Sequence, residues 1–249
     1  MRETEDLSPS VAVAAPLPGP PLPGLWLQFQ PVVWLESQEQ EPYFLEALLR
    51  LGAHAPAQAL ARYRERGELH RLTLAVLEGA LAEGARRGRA VSVNLSPAQL
   101  GHPRLRADLR ALLRAAGAGE GALVVEVTEE ALQPGGRPLE RTLAGLRELG
   151  VRVYLDDFGS GHSSLERLAW LPLDGVKLPR GFLRPPAATR HRVAAVLRGL
   201  VRMMEELGLP LVAEGIERPE QAAFVRELGV RLGQGFLFGA SPEAPAAAP

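Results

Sequence analysis

Lysine is nearly absent from this chain. Of its 28 basic residues 27 are arginine, and the one lysine is Lys177. Arginine replaces lysine at little cost on a solvated surface, but a planar guanidinium cannot stand in for a compact, movable ammonium. One lysine kept at Lys177 therefore marks a position where that ammonium is needed, or else survives by chance. Cysteine is wholly absent. That excludes disulfides, thiolate metal sites and a cysteine nucleophile, so any metal must sit on carboxylate, amide or imidazole ligands. A net charge of −1 leaves no basic footprint for nucleic acid, so no DNA partner is expected. No apolar run reaches the roughly 18 residues of a membrane span, and the acidic opening Met1-Arg2-Glu3-Thr4-Glu5-Asp6 is unlike a secretory signal. The expectation is a cytoplasmic protein with no membrane partner.

What is present is an ordinary globular composition, 46% apolar and 23% charged, in 249 residues. Residues 1–24 read as a flexible tail, because Pro16 to Gly24 is too proline-rich for a helix or a paired strand. Residues 243–249, alanine and proline, read as a second tail, leaving one domain over 25–242. Within it, β-like runs alternate with helical stretches. The runs are Leu25 to Gln30, Ala90 to Leu95, Leu123 to Val127, Val151 to Asp156, Gly175 to Leu178, Leu209 to Glu214 and Leu232 to Leu237. Amphipathic segments such as Leu69 to Arg87, Leu139 to Leu149, His191 to Leu207 and Gln221 to Leu228 lie between them. Gly150, Gly208 and Gly229 each follow a helical pattern and precede an apolar run, as left-handed helix C-caps do. Repeated β/α units over most of the chain predict an α/β fold, a (β/α)8 TIM-like barrel, with a doubly wound sheet as the alternative.

Polar residues fall at the C-terminal ends of these runs: Asn94, Glu126, Asp156 with Asp157, Lys177, Glu214 and Gln234. In a β/α barrel those ends meet at one mouth, where active sites lie. Four carboxylates there, joined by Glu46, would repel one another without cations, and oxygen-rich sites with a carboxamide suit magnesium or manganese. The adjacent Asp156-Asp157 pair suits two ions about 3.5–4 Å apart, the spacing used for in-line phosphoryl displacement. Taken singly, each residue has a plainer reading. A glutamate at a strand end is more often an ion-pair partner, Asp156 to Gly161 is also a glycine-rich turn, and Ser96 before Pro97 is a helix N-cap signal.

Taken together the residues resemble the EAL domain family, the cyclic di-GMP phosphodiesterases. Glu46-Ala47-Leu48-Leu49-Arg50 is similar to the family signature, and Gln30-Pro31-Val32-Val33, Asn94-Leu95-Ser96, Glu126-Val127-Thr128-Glu129, Asp156 to Gly161, Lys177, Ala213 to Glu217 and Gln234-Gly235 follow in the family's order. The resemblance implies a barrel whose first strand is antiparallel to the rest. It implies two ions, Mg2+ or Mn2+, one on Glu46, Asn94, Glu126 and Asp156 and the other on Asp156, Asp157 and Glu214. Lys177 and Glu214 are then the catalytic pair, with Glu214 serving as ligand, proton acceptor or both. Gln30, Leu48, Arg50, Asp157 and Gln234 are implied to bind cyclic di-GMP, with Arg50 on a phosphate. Glu129 is implied to steady the loop after Asp157, and Glu217 to support the ligands. The implied product is linear pGpG, and the implied assembly a homodimer.

One departure bears on activity. The family usually has Lys-x-Asp where this chain has Lys177-Leu178-Pro179. Two residues on in a strand returns to the same face, so the replaced carboxylate would have stood beside Lys177. Proline carries no charge to replace it, and slower turnover or none is expected. Two alternatives to the enzyme stay open: a cyclic di-GMP receptor with little or no hydrolysis, and a protein-interaction scaffold on a degenerate barrel. No cyclase or sensor domain is recognised, so any regulation is expected to come from a regulatory partner protein, an oligomer or expression.

Overall fold

The computed structural model describes residues 15–16, 25–37, 41–51, 56–128, 137–159 and 165–239. Eight strands close into a barrel: β2 (Leu25–Trp34), β3 (Pro42–Leu51), β4 (Val91–Asn94), β5 (Leu123–Thr128), β6 (Arg152–Asp156), β7 (Gly175–Leu178), β8 (Leu211–Ala213) and β9 (Leu232–Gln234). From β3 to β9 each neighbouring pair is parallel. β2 is antiparallel to both β3 and β9 and closes the ring. The barrel and its antiparallel first strand are those expected from the sequence. The two-residue strand β1 (Ala15–Pro16) pairs antiparallel with Trp26 and Leu27, so the proline run begins with a residue that is itself paired. The rest of the expected tails lies outside the described residues.

Helices α1 (Pro56–Glu65), α2 (Leu69–Arg87), α3 (Pro97–Leu100), α4 (Leu105–Ala115), α5 (Arg137–Arg147), α6 (Leu165–Trp170), α7 (Arg190–Leu207) and α8 (Pro219–Glu227) occupy the connections. The amphipathic stretches read from the sequence correspond to α2, α5, α7 and α8 within two residues at each end. All three glycines expected as left-handed caps have positive φ. None of the described helices is long and apolar enough to cross a membrane.

One strand was hidden in the sequence. β3 carries the Glu-Ala-Leu signature but shows no alternation, because Phe44, Leu45, Glu46 and Ala47 are all buried. A strand covered on both faces reads as a continuous run, and Leu, Ala, Glu and Arg are helix formers. Two other strands are shorter than their apolar runs. β8 stops before Gly215, and β9 stops before Gly235, where a Cβ would come within 2.1 Å of the Ile216 carbonyl oxygen.

The core has two parts. The larger packs the outer faces of the strands, Leu27, Val93, Val125 and Val153 among them, under helix residues such as Leu77, Leu109, Leu143 and Leu197. The smaller fills the barrel itself with Val32, Phe44, Val124, Tyr154, Val212 and Leu232. Phe44 on β3 and Tyr154 on β6 meet edge to face at 5.5 Å although two strands separate them, so this contact crosses the interior. Tyr154 has room there because residue 175 is glycine; a Cβ would lie 2.3 Å from the Tyr154 ring.

Candidate active site

Strand parity builds the site. Two residues from each member of the inner layer Val32, Phe44, Ser92, Val124, Tyr154, Gly175, Val212 and Leu232 stands a polar residue: Gln30, Glu46, Asn94, Glu126, Asp156, Lys177, Glu214 and Gln234. Side chains repeat their direction every second residue, so the polar set shares the inner face one step nearer the mouth. Each strand of the barrel supplies one of the eight, with Glu214 directly following β8.

Lys177 is at the centre and fully buried. Its Nζ donates to Glu126 Oε2 at 2.7 Å and to Glu46 Oε2 at 3.0 Å, and contacts Glu214 Oε1 at 2.6 Å. Burial disfavours the ammonium, but Glu126, Glu214 and Glu46 together raise its pKa well above the ordinary lysine value. Glu46 is also buried, which works to raise it; the Lys177 charge and hydrogen bonds from Gln234, Lys177 and Asn94 leave it lowered instead. Those bonds are Asn94 Nδ2 to Glu46 Oε1 at 2.6 Å and Gln234 Nε2 to Glu46 Oε2 at 2.6 Å. Gln234 Nε2 also donates to Gln30 Oε1 at 3.0 Å.

The other carboxylates shift the opposite way. Burial and the Glu46 charge push Glu126 up to about 8 against the pull of Lys177. Burial pushes Glu214 up to about 7, again against Lys177 and with Asp156 adding to the rise. Asp156 is raised by burial and by its acidic neighbours. One Lys177 cation does not balance this much negative charge.

Asp156 and Asp157 are adjacent, and in an unbroken strand they would face opposite sides. Asp157 instead has φ 55°, the sole positive φ among the described non-glycine residues. Aspartate tolerates this left-handed region better than bulky residues do. The turn is held by Asp157 N–H donating to Asp156 Oδ1 at 2.8 Å and by Phe158 N–H donating to the Lys177 carbonyl at 3.1 Å. Ligand atoms of Asp156, Asp157 and Glu214 consequently lie within 4.8 Å of one another. Glu126 Oε1 is buried with no hydrogen-bond partner among the described residues. An all-oxygen cluster with an unsatisfied buried carboxylate oxygen fits a hard divalent cation.

The structure thus brings the trio Asp156, Asp157 and Glu214 together. Glu46, Asn94 and Glu126 converge with them, Glu46 and Glu126 joined through Lys177. Arg50 and Leu48 lie further along β3 on the same face as Glu46. Glu217 is exposed and its carboxylate pairs with Arg184, outside the Lys177 cluster. Glu129 falls outside the described residues. One residue went unnoticed in the sequence. Gln28 is buried, and its Oε1 accepts a hydrogen bond from Arg50 Nε at 2.8 Å. Its signal was the two-residue step from Trp26 through Gln28 to Gln30 along one face.

The family model for the EAL domain matches residues 23–241. The chain belongs to the EAL domain family. Among curated relatives, the cyclic di-GMP phosphodiesterase NbdA of Pseudomonas aeruginosa is 36% identical over 226 residues, which is 86% of this chain and 28% of that protein. The cyclic di-GMP phosphodiesterase RocR of the same organism is 36% identical over 148 residues, 59% of this chain and 38% of that one. This chain therefore spans about a quarter to two fifths of the length of these EAL relatives. Among solved structures, the PaMucR phosphodiesterase in complex with c-di-GMP superposes with a TM-score of 0.79 at 32% identity, covering 89% of this chain and 98% of that one. Klebsiella pneumoniae BlrP1, in a calcium and cyclic di-GMP complex, gives 0.76 at 28% identity over 94% of this EAL chain and 60% of its own.

Proposed function

We propose that this EAL domain is a metal-dependent phosphodiesterase that hydrolyses cyclic di-GMP to linear pGpG. The observation that carries the reading is the ring of eight polar side chains, one per strand, with a buried lysine among them at the barrel mouth. NbdA and RocR, named as cyclic di-GMP phosphodiesterases, support the choice of substrate. Glu46, Asn94, Glu126, Asp156, Asp157 and Glu214 would hold Mg2+ or Mn2+. When bound, the cations would activate water and neutralise charge building on the phosphoryl oxygens.

The chain's own groups have separate tasks. Lys177 keeps its proton and offers a fixed positive charge to the reacting phosphoryl group. Glu214, in contact with Lys177 and about a fifth exposed, is placed to take the proton from the incoming water. Gln30, Leu48, Arg50 and Gln234 line the approach and hold the nucleotide, with Arg50 on a phosphate. Water adds to one phosphorus, the P–O3′ bond opens, and the proton ends on the released 3′-oxygen.

A second reading, a receptor that binds cyclic di-GMP without turnover, is favoured by Pro179 alone. Incubation with cyclic di-GMP and Mg2+ or Mn2+, with products resolved by chromatography, separates the two. Metal-dependent pGpG is expected from the native chain, with a loss of at least about 100-fold in Lys177→Ala, the size of one positioned electrostatic group. Nucleotide bound in a parallel titration but never cleaved would replace the enzyme with the receptor.

A further inference from the structure

The rim above the ring holds a contact that the hydrolytic reading does not use. β2 and β3 run on past the polar layer, in register as Gln28↔Leu48 and Trp26↔Arg50. On the face shared with Gln30 and Glu46 this stacks Gln28 and Arg50 diagonally across the hairpin. Gln28 is only 2% exposed, although Arg50 beside it is half-buried. Its Oε1 takes the Arg50 Nε–H at 2.8 Å, and Arg50 Nη1 donates to the Leu49 carbonyl at 3.1 Å. Two of the three guanidinium nitrogens are thereby fixed. The third, Nη2, makes no hydrogen bond among the described residues.

We propose that Gln28 is a positioning residue. It holds the Arg50 guanidinium in one orientation with Nη2 left for a nucleotide phosphate, and so sets affinity for the phosphate more than the rate of bond cleavage. This rests on the reading of the mouth as a cyclic di-GMP site. The chemistry of residue 28 suits the task. An unrestrained arginine side chain gives up rotamer entropy when a ligand fixes it, and an arginine held beforehand gives up less. A hydrocarbon at position 28 would leave the part-buried Nε–H without its Gln28 acceptor. A carboxylate would hold the guanidinium but cancel the charge that attracts the phosphate.

The test is a double-mutant cycle of Gln28→Met and Arg50→Ala, reading KM and kcat for cyclic di-GMP together with a binding titration. Gln28→Met is expected to raise KM and Kd about 10-fold, the size of one charge-assisted hydrogen bond, with kcat held within about twofold. In the Arg50→Ala background the same change is expected to shift KM by less than about twofold, because a positioning residue has nothing left to position. A second readout needs no nucleotide. The 15N NMR signal of the Arg50 Nε–H, assigned with Arg50→Lys, is expected to be protected from exchange in the native chain. It should survive in Gln28→Glu, which keeps an oxygen acceptor, and be lost in Gln28→Met. Additive effects in the cycle, or an unprotected Nε–H in the native chain, would overturn the role of Gln28 alone. Absence of nucleotide binding by the native chain would overturn the cyclic di-GMP reading and the inference that stands on it.

Discussion

A fully buried ammonium survives at Lys177 because three carboxylates touch it; without them its desolvation would cost several kcal/mol. Glu126 and Glu214 are in turn under-compensated while Glu46 is not, and this residue-scale imbalance would suit the cluster to a cation. Pro179 tests how much charge the cluster needs. It directly follows β7 with extended dihedrals, φ −67° and ψ 154°, before the 3-10 turn Arg180–Leu183. Strand alternation therefore continues through it, and a side chain there shares the Lys177 face. Pro179→Asp is expected to raise kcat about 100-fold, the low end of the range for one well-placed acid–base group. An unchanged kcat in steady-state assays would show that no carboxylate is missing from this version of the site.

At the scale of elements, the polar ring rests on an apolar layer. The apolar plug below it, Phe44 against Tyr154 with Val32, Val124, Val212 and Leu232, sets the height of the polar ring. β6 and β7 pair here with residue 175 lacking a side chain, since an added Cβ would lie only 2.3 Å from the Tyr154 ring. Overpacking a barrel interior forces strands apart. Gly175→Ala is expected to lower unfolding stability by about 1–3 kcal/mol. Because position 175 is two residues from Lys177 on β7, the same change should also reduce turnover. Denaturant unfolding with assays on the folded fraction would check both, and a variant with native stability would mean the ring simply rotates aside.

At the scale of the whole molecule, the acidic mouth ties stability to pH and to divalent cations. Glu126 and Glu214 are raised to about 8 and about 7 from an ordinary 4.5. The folded chain therefore holds protons that the unfolded chain has released. Stability from this source is fully present below the unfolded value and is lost as pH rises through the folded one, between about 4.5 and 8. In the presence of a chelator, Tm is expected to fall across that window, and Glu126→Gln should flatten the fall. Mg2+ or Mn2+, by pairing with the deprotonated carboxylates, should restore Tm most strongly at the alkaline end. Calorimetric scans from pH 4.5 to 8.5, roughly the span of the shift, with and without metal would decide it; a Tm that rises with pH under chelation would contradict the charge balance described here.

The sequence by itself determined the barrel and most of its ring. Alternating β/α punctuation, glycines after helices and polar residues at run ends are local signals, and Asn94, Glu126, Asp156, Lys177, Glu214 and Gln234 could all be placed from them. Three matters were decided only by the tertiary structure. β3 was obscured because burial on both faces erases the period of two that marks a strand. The joining of Asp156 and Asp157 to Glu214 required the left-handed turn at Asp157, a backbone state that the residue type permits but does not dictate. The hold of Gln28 on Arg50 arises from cross-strand register between residues 22 apart in the chain. Local pattern fixes which face a side chain occupies. Which distant side chain it meets depends on register and closure, and those are set by the packing of the whole barrel.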